Sequence, residues 1–472
     1  LRRRNFVLLL ASLFFYGWGE PVYVGIMFLS IFIDYTHGLL VEKFRDRDRL
    51  ARWFVGQSVV FNLLLLGFFK YWDFLAANLS LLPGVSLPEL GLPLPLGISF
   101  FTFQTMSYTI DVYRRDAPVQ RNPVDFGAYV TFFPQLIAGP IVLYKEIIPQ
   151  FDDLYNRKFD MDSFAKGISL FVIGLGKKVL LADVLALVTN FGFEQTYFLD
   201  SPSTLLVILS YTFQIYFDFS GYSDMAMGLG HMFHIQLPMN FNSPYKSCSV
   251  KELWQRWHMT LSRFFITYVY IPLGGSKKGK ARTIFNTMAI FALSGLWHGA
   301  NWTYVAWGVM QGLLVVWDNL GIIGIRGTTE KNPARFYIPR WLGWFLTFSF
   351  FNLSLFFFRS ESMAYAFQMF KNLFSFRNTG YIYKLAANMD VPEFYIFKQA
   401  ITMLAPDILN VAYVVLLLLM LAASAFILTR KNALQMVEST DYDSRFCWFI
   451  TIIFIWSLIS FSQVSTFIYF NF

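Results

Sequence analysis

The chain has 472 residues, 56% of them hydrophobic and 20% aromatic, with 14% charged and two Cys. A typical soluble domain is about a quarter charged, so this composition cannot cover a water-facing surface of its size; disorder, collagen, coiled coil and a disulfide scaffold fail on the same figures. The net charge of +8 sits in separate clusters interleaved with acidic residues, which fits basic cytoplasmic loops better than a nucleic-acid stripe.

Runs free of Asp, Glu, Lys and Arg cover 90–110, 126–144, 284–317, 408–429 and 446–472. The expected fold class is all-α: a polytopic membrane protein of roughly 11–13 spanning or re-entrant helices around a central channel, since about 20 apolar residues cross a bilayer core. In chain order, Arg2, Arg3 and Arg4 precede the apolar segments 6–19 and 21–40, and a basic loop from Lys43 to Arg52 precedes 53–72. With basic clusters in the cytoplasm, the first two segments cross out and back, 53–72 crosses out and 94–112 returns. Later, 408–429 runs inward to Arg430 and Lys431, and 446–464 runs outward, leaving the C-terminal end outside. Lys177 and Lys178, inside an apolar segment, and five basic residues in 359–405 resist this scheme.

PLGI at 95–98, FFPQLIAGP at 132–140 and LPMNFNSPY at 237–245 interrupt helices. Broken backbone at membrane depth survives only inside protein or against a water-filled cavity, so these segments predict re-entrant structure lining a hole. The stretch 251–273 predicts one half-buried helix at the interface, and 359–405 amphipathic surface helices. No repeat or low-complexity linker appears, so 1–472 reads as a single membrane domain, closing on the motif at 465–472 that ends FIYFNF.

Five His are present. His298 lies within the longest charge-free run, flanked by Gly295 and Gly299, and an ionisable residue at that depth is a functional candidate; the alternative is a neutral core histidine bonded to a neighbour. His258, in WQRWHMTLS, is the second candidate, or an interfacial histidine. His231 and His234 form an H-x-x-H pair without a third ligand, so no metal is expected. Cys248 and Cys447 are too few for a zinc site, and P-loop, GxGxxG and GxSxG motifs are absent. Asp218 and Asp224 sit in an aromatic stretch, either as solvated helix-end acids or as orienting groups. Asn240, Asn242 and Asn301 can donate into a cavity. Tyr469 is the one hydroxyl among the aromatics of the C-terminal motif, which also suits an aromatic belt.

FFPQLIAGPIVLYKEIIPQF (132–151), YFDFSGYSDMAMG (216–228), LPMNFNSPY (237–245), WQRWHMTLSRFFITYVYIPLGG (254–275) and SGLWHGANWTYVAWG (294–308) resemble the membrane-bound O-acyltransferases. Within that family they look like the bacterial branch that O-acetylates alginate and other exported polysaccharides, with the teichoic-acid D-alanyl transferase as a cousin. The match is ordered and spans about 1–325 plus the FIYFNF end. Family members usually begin with one further membrane helix, so the resemblance implies one before residue 1. Gln255 stands where members commonly carry a second Arg.

The resemblance implies that His298, in the WHG motif, is the principal catalytic residue and His258 the second, both near a channel; Trp297, Asp218, Asn242 and Asn301 are candidates to support the site or line that channel. A neutral imidazole at mid-depth can take a hydroxyl proton as general base. The implied reaction moves an acetyl or other short acyl group from a cytoplasmic thioester, acetyl-CoA or an acyl carrier, toward hydroxyls of an exported or cell-wall polysaccharide, with no permanently bound cofactor. Tyr469 is then a candidate acyl relay to an extracytoplasmic acyltransferase. Implied partners are that protein, a cytoplasmic acyl carrier, the glycan acceptor and membrane lipid, with no nucleic acid; the implied location is the bacterial cytoplasmic membrane, crossed several times. The alternatives are D-alanyl transfer to teichoic acid and, in a different class, a transporter or flippase, which predicts an inverted repeat that the sequence does not display.

Overall fold

The computed structural model describes all residues except 1, 154–158, 327–333, 390, 464–466 and 469–472. Among the described residues the one sheet is a parallel pairing of Ile323–Ile325 with Phe336–Ile338; the fold is all-α. Val24–Lys43, Asp48–Leu79, Arg340–Arg359 and Pro406–Thr429 are long and apolar enough to cross a membrane, and Ser444–Ile459 is a shorter apolar helix. Where the sequence offers no linker, the contacts still divide into two compact units: 1–168 with 226–239, and 169–225 with 240–472.

In the first unit, Val24–Lys43 packs against Asp48–Leu66 and Ile98–Arg114. A Cβ on Gly38 would lie 2.6 Å from the Tyr108 ring, which fixes how close the second of these contacts is. Asp34 is fully buried and accepts hydrogen bonds from Ser58, from Asn62 Nδ2 at 2.8 Å and from Thr109 Oγ1 at 3.3 Å. Lipid offers no donors, so a carboxylate here depends on its helical neighbours. Two of the predicted interruptions occur in this unit. Gly97, at φ 73°, opens Ile98–Arg114, and a Cβ there would meet Leu136 O at 2.6 Å. Residues 137–143 are irregular yet buried, and Gln135 Nε2 donates to Tyr129 O at 2.9 Å. Broken backbone is thus enclosed by protein, as the absence of water in lipid demands.

The second unit contains the greater part of the 32-residue helix Ser201–Met232. Met161–Gly176 crosses it where Gly174 meets Gly221: a Cβ on Gly174 would lie 2.5 Å from Gly221 O. Small residues let helix backbones approach this closely in membranes. Immediately afterwards Lys177–Ala182 widens into a π-helix. Asp200 ties 379–381 to the start of Ser201–Met232, accepting from the N–H groups of Ser203 (3.0 Å) and Thr379 (2.8 Å). Burial pushes its carboxyl up, but those hydrogen bonds outweigh burial and hold it below its ordinary range.

Two expectations change here. The stretch 251–273 is not one helix: Val250–Arg256 ends at Trp257, Met259–Phe265 begins after His258, and a π-helix follows over Ile266–Tyr270. Asp218 and Asp224 are buried within Ser201–Met232 rather than solvated at a helix end.

Candidate active site

His298 closes the helix Lys280–His298, and Gly299 turns the chain toward Trp302–Asn319. The two helices pack with almost no space between their backbones. A Cβ on Gly295 would lie 2.3 Å from Tyr304 O, one on Gly308 2.3 Å from Phe291 O, and one on Gly299 2.1 Å from the Tyr304 ring. Glycine at these three positions therefore sets where the histidine is held. Its ring is 2% exposed and is walled by Trp297 at 4.9 Å, Phe358 at 5.2 Å and Trp307 at 5.3 Å between centroids.

His258 is fully buried and takes a left-handed conformation, φ 43° and ψ 53°. For a residue with a Cβ this costs roughly 1–2 kcal/mol, so the surroundings must impose it. The LPMNFNSPY segment does so from both sides. Asn242 N–H donates to Arg256 O at 2.9 Å, Met259 N–H donates to Asn240 O at 3.0 Å, and Asn240 Oδ1 accepts from Thr260 Oγ1 at 2.7 Å. The imidazole is presented to Phe219, 4.7 Å away and nearly edge-on, and to Trp297 at 6.0 Å.

Trp297 thus touches the rings of both histidines, which lie 40 positions apart in sequence. A polar chain buttresses the wall behind it. Trp254 Nε1 donates to Gln311 Oε1 at 3.2 Å, and Gln311 Nε2 donates to Ser354 Oγ at 2.8 Å. Two buried imidazoles packed among aromatic rings in a water-poor surround suit proton transfer to and from a hydroxyl.

The remaining sequence candidates have other partners. Asp218 forms an ion pair with Lys178 at 2.6 Å, and Lys178 also meets Asp183 at 2.8 Å; Lys177 pairs with Asp224. The two lysines that resisted the topology scheme are thus paired with carboxylates of Ser201–Met232 and, for Lys178, with nearby Asp183 as well. Asn301 caps Trp302–Asn319, accepting from Thr303 N–H at 3.1 Å and donating to Glu361 O at 2.8 Å. Asn242 Oδ1 accepts from Asn432 at 3.3 Å. Tyr469 lies outside the described residues. Among the described residues no three His, Cys, Asp or Glu side chains gather as a metal set. Trp307, Phe358 and Phe219 were not singled out in sequence, because an aromatic wall looks the same there as any apolar helix face.

A cavity of about 710 Å³ opens beside Lys251, Glu252, Gln255 and Asp318. A second, of about 240 Å³, shares Lys251 and Gln255 with it and is lined by Trp254 and Ser294. Ser294, on the lining of the second cavity, stands one helical turn before His298.

A model of the membrane-bound O-acyltransferase family matches residues 115–360. The chain is 38% identical to a peptidoglycan O-acetyltransferase of Helicobacter pylori, over 78% of this chain and 73% of the relative. It is 40% identical to a probable alginate O-acetylase of Pseudomonas putida, over 79% of this chain and 76% of the relative. A teichoic acid D-alanyltransferase of Streptococcus thermophilus is 30% identical over 47% of this chain and 56% of the relative.

Proposed function

Because this chain belongs to the membrane-bound O-acyltransferase family, we propose that it carries an acetyl group from a cytoplasmic thioester across the bacterial cytoplasmic membrane toward hydroxyls of an exported or cell-wall polysaccharide. It is an O-acyltransferase; the acceptor class follows from relatives named for peptidoglycan and alginate, whose match covers far more of this chain than that of the D-alanyl relatives. The observation that carries the reading is that the buried rings of His258 and His298 both pack against Trp297.

In this reading His298 is the general base. Its imidazole takes the proton of the accepting hydroxyl as the oxygen attacks the thioester carbonyl. The tetrahedral intermediate collapses, the C–S bond breaks, and the departing sulfur receives the proton from the imidazolium. His258 supports the same chamber, and its imposed backbone conformation is the kind of local strain found at functional sites. The donor is acetyl-CoA or an acyl-carrier thioester, whose arm enters through the cavities beside Lys251 and Gln255. The accepting hydroxyl is that of Tyr469, which becomes an acyl ester. A nucleophile of an extracytoplasmic acyltransferase then takes the acyl group, the ester C–O bond breaks, the nucleophile's proton returns to the Tyr469 oxygen, and the acyltransferase passes the group to a glycan hydroxyl.

The test is the ester content of wall or exported polysaccharide in a deletion strain complemented with wild type or His298→Ala. Wild type should restore acetate released by mild base. His298→Ala should lose at least the about 10²–10⁴-fold contributed by base catalysis. Restored D-alanine in place of acetate would move the chain to teichoic-acid chemistry, and full complementation by His298→Ala would remove the histidine from the reaction.

A further inference from the structure

The buried cluster of Lys178, Asp183 and Asp218 sets one cation against two carboxylates, with each of the three side chains no more than 3% exposed. A carboxylate buried away from water requires hydrogen-bond donors. Asp218 Oδ2 accepts one from an element 250 positions away, the backbone N–H of Ile468, at 2.9 Å. The neighbouring Phe467 makes two more contacts at the same place. Lys178 Nζ lies 4.5 Å from its ring centroid, within cation–π range, and Tyr222 meets it edge to face at 4.9 Å and 90°.

The geometry points to an intramolecular docking site: the Lys178–Asp183–Asp218 cluster, with Tyr222, receives Phe467 and Ile468. A free aromatic belt at the membrane surface would need no buried carboxylate. Recognition combines one backbone contact, indifferent to the side chain at 468, with two ring contacts specific to Phe467. The same turn of Ser201–Met232 carries Phe219, which packs on His258. One helix therefore meets both Phe467–Ile468, through Asp218 and Tyr222, and His258, through Phe219. Asp218 is a positioning residue. The docking stands on these contacts alone; its consequence for transfer rests on the reading of Tyr469 as acyl relay.

Hydrogen exchange of the full chain in lipid nanodiscs tests the docking without any acyl transfer. Asp218→Ala should speed exchange of the Ile468 amide about tenfold or more, the loss of one hydrogen bond to a charged group, while Lys280–His298 keeps its protection. Asp218→Asn retains an acceptor oxygen and should keep the amide protected. Phe467→Ala leaves all three charges in place and should also release the segment; it serves where Asp218→Ala does not fold. Unchanged Ile468 exchange in a folded Asp218→Ala or Phe467→Ala protein overturns the docking. Normal transfer by Tyr469→Phe would sink the relay while leaving the docking intact.

Discussion

At the scale of single residues, the unusual features are charges and backbone angles that only their surroundings can sustain. His258 holds φ 43° because Asn240 and Asn242 bind the chain on both sides of it. Lys178 is buried because Asp183 and Asp218 face it. Removing one member of a buried ion cluster is far more damaging than removing all of them, since it strands uncompensated charge. Lys178→Met should therefore destabilise the protein by about 3–5 kcal/mol. The triple change Lys178→Met, Asp183→Asn, Asp218→Asn should recover most of that loss. Thermal unfolding in detergent, compared across the single and triple variants, checks this; a triple variant less stable than Lys178→Met would contradict it.

At the scale of elements, the hairpin Lys280–His298 with Trp302–Asn319 shows how a helix break becomes a device for placing a side chain. The charge-free run 284–317 could be taken for a single long span, but Gly299 ends one helix and Asn301 caps the next. The contact of Gly295 with Tyr304 O and of Gly308 with Phe291 O then holds the returning helix close. A methyl group at Gly295 cannot be absorbed by a flexible side chain, because the obstacle is backbone. Gly295→Ala should cost about 1–3 kcal/mol, as overpacking commonly does, and should depress acyl transfer by displacing His298. Melting temperature and ester content measured together decide this; wild-type values for both would show that the hairpin does not position the histidine.

At the scale of the whole molecule, the positive-inside rule turns the basic loops into a prediction of which side of the membrane each segment faces. In the proposed topology the loops at 43–52 and 277–282 are cytoplasmic and 73–93 is outside. Arg47, Ser86 and Lys278 are all exposed, so each can report its side. In a Cys248→Ser, Cys447→Ser background, a membrane-impermeant maleimide on intact spheroplasts should label Ser86→Cys. Arg47→Cys and Lys278→Cys should react only after permeabilisation. Labelling of Lys278→Cys from outside would reverse the proposed entry of the donor beside Lys251.

What the sequence determined by itself are the properties carried by composition and short range: an all-α membrane chain and the interruptions at 95–98, 132–140 and 237–245. Charge-free runs, Gly and Pro act through neighbouring residues, so they can be read without knowing the partners. The tertiary structure decided what depends on residues far apart. It broke 251–273 at His258, because the restraints come from Asn240 and Asn242. It brought His258 and His298 to one tryptophan, and it joined Lys178 to Asp218 and Asp218 to Ile468. A buried charge needs a partner, but its own segment does not say which of the distant candidates the packed helices will deliver.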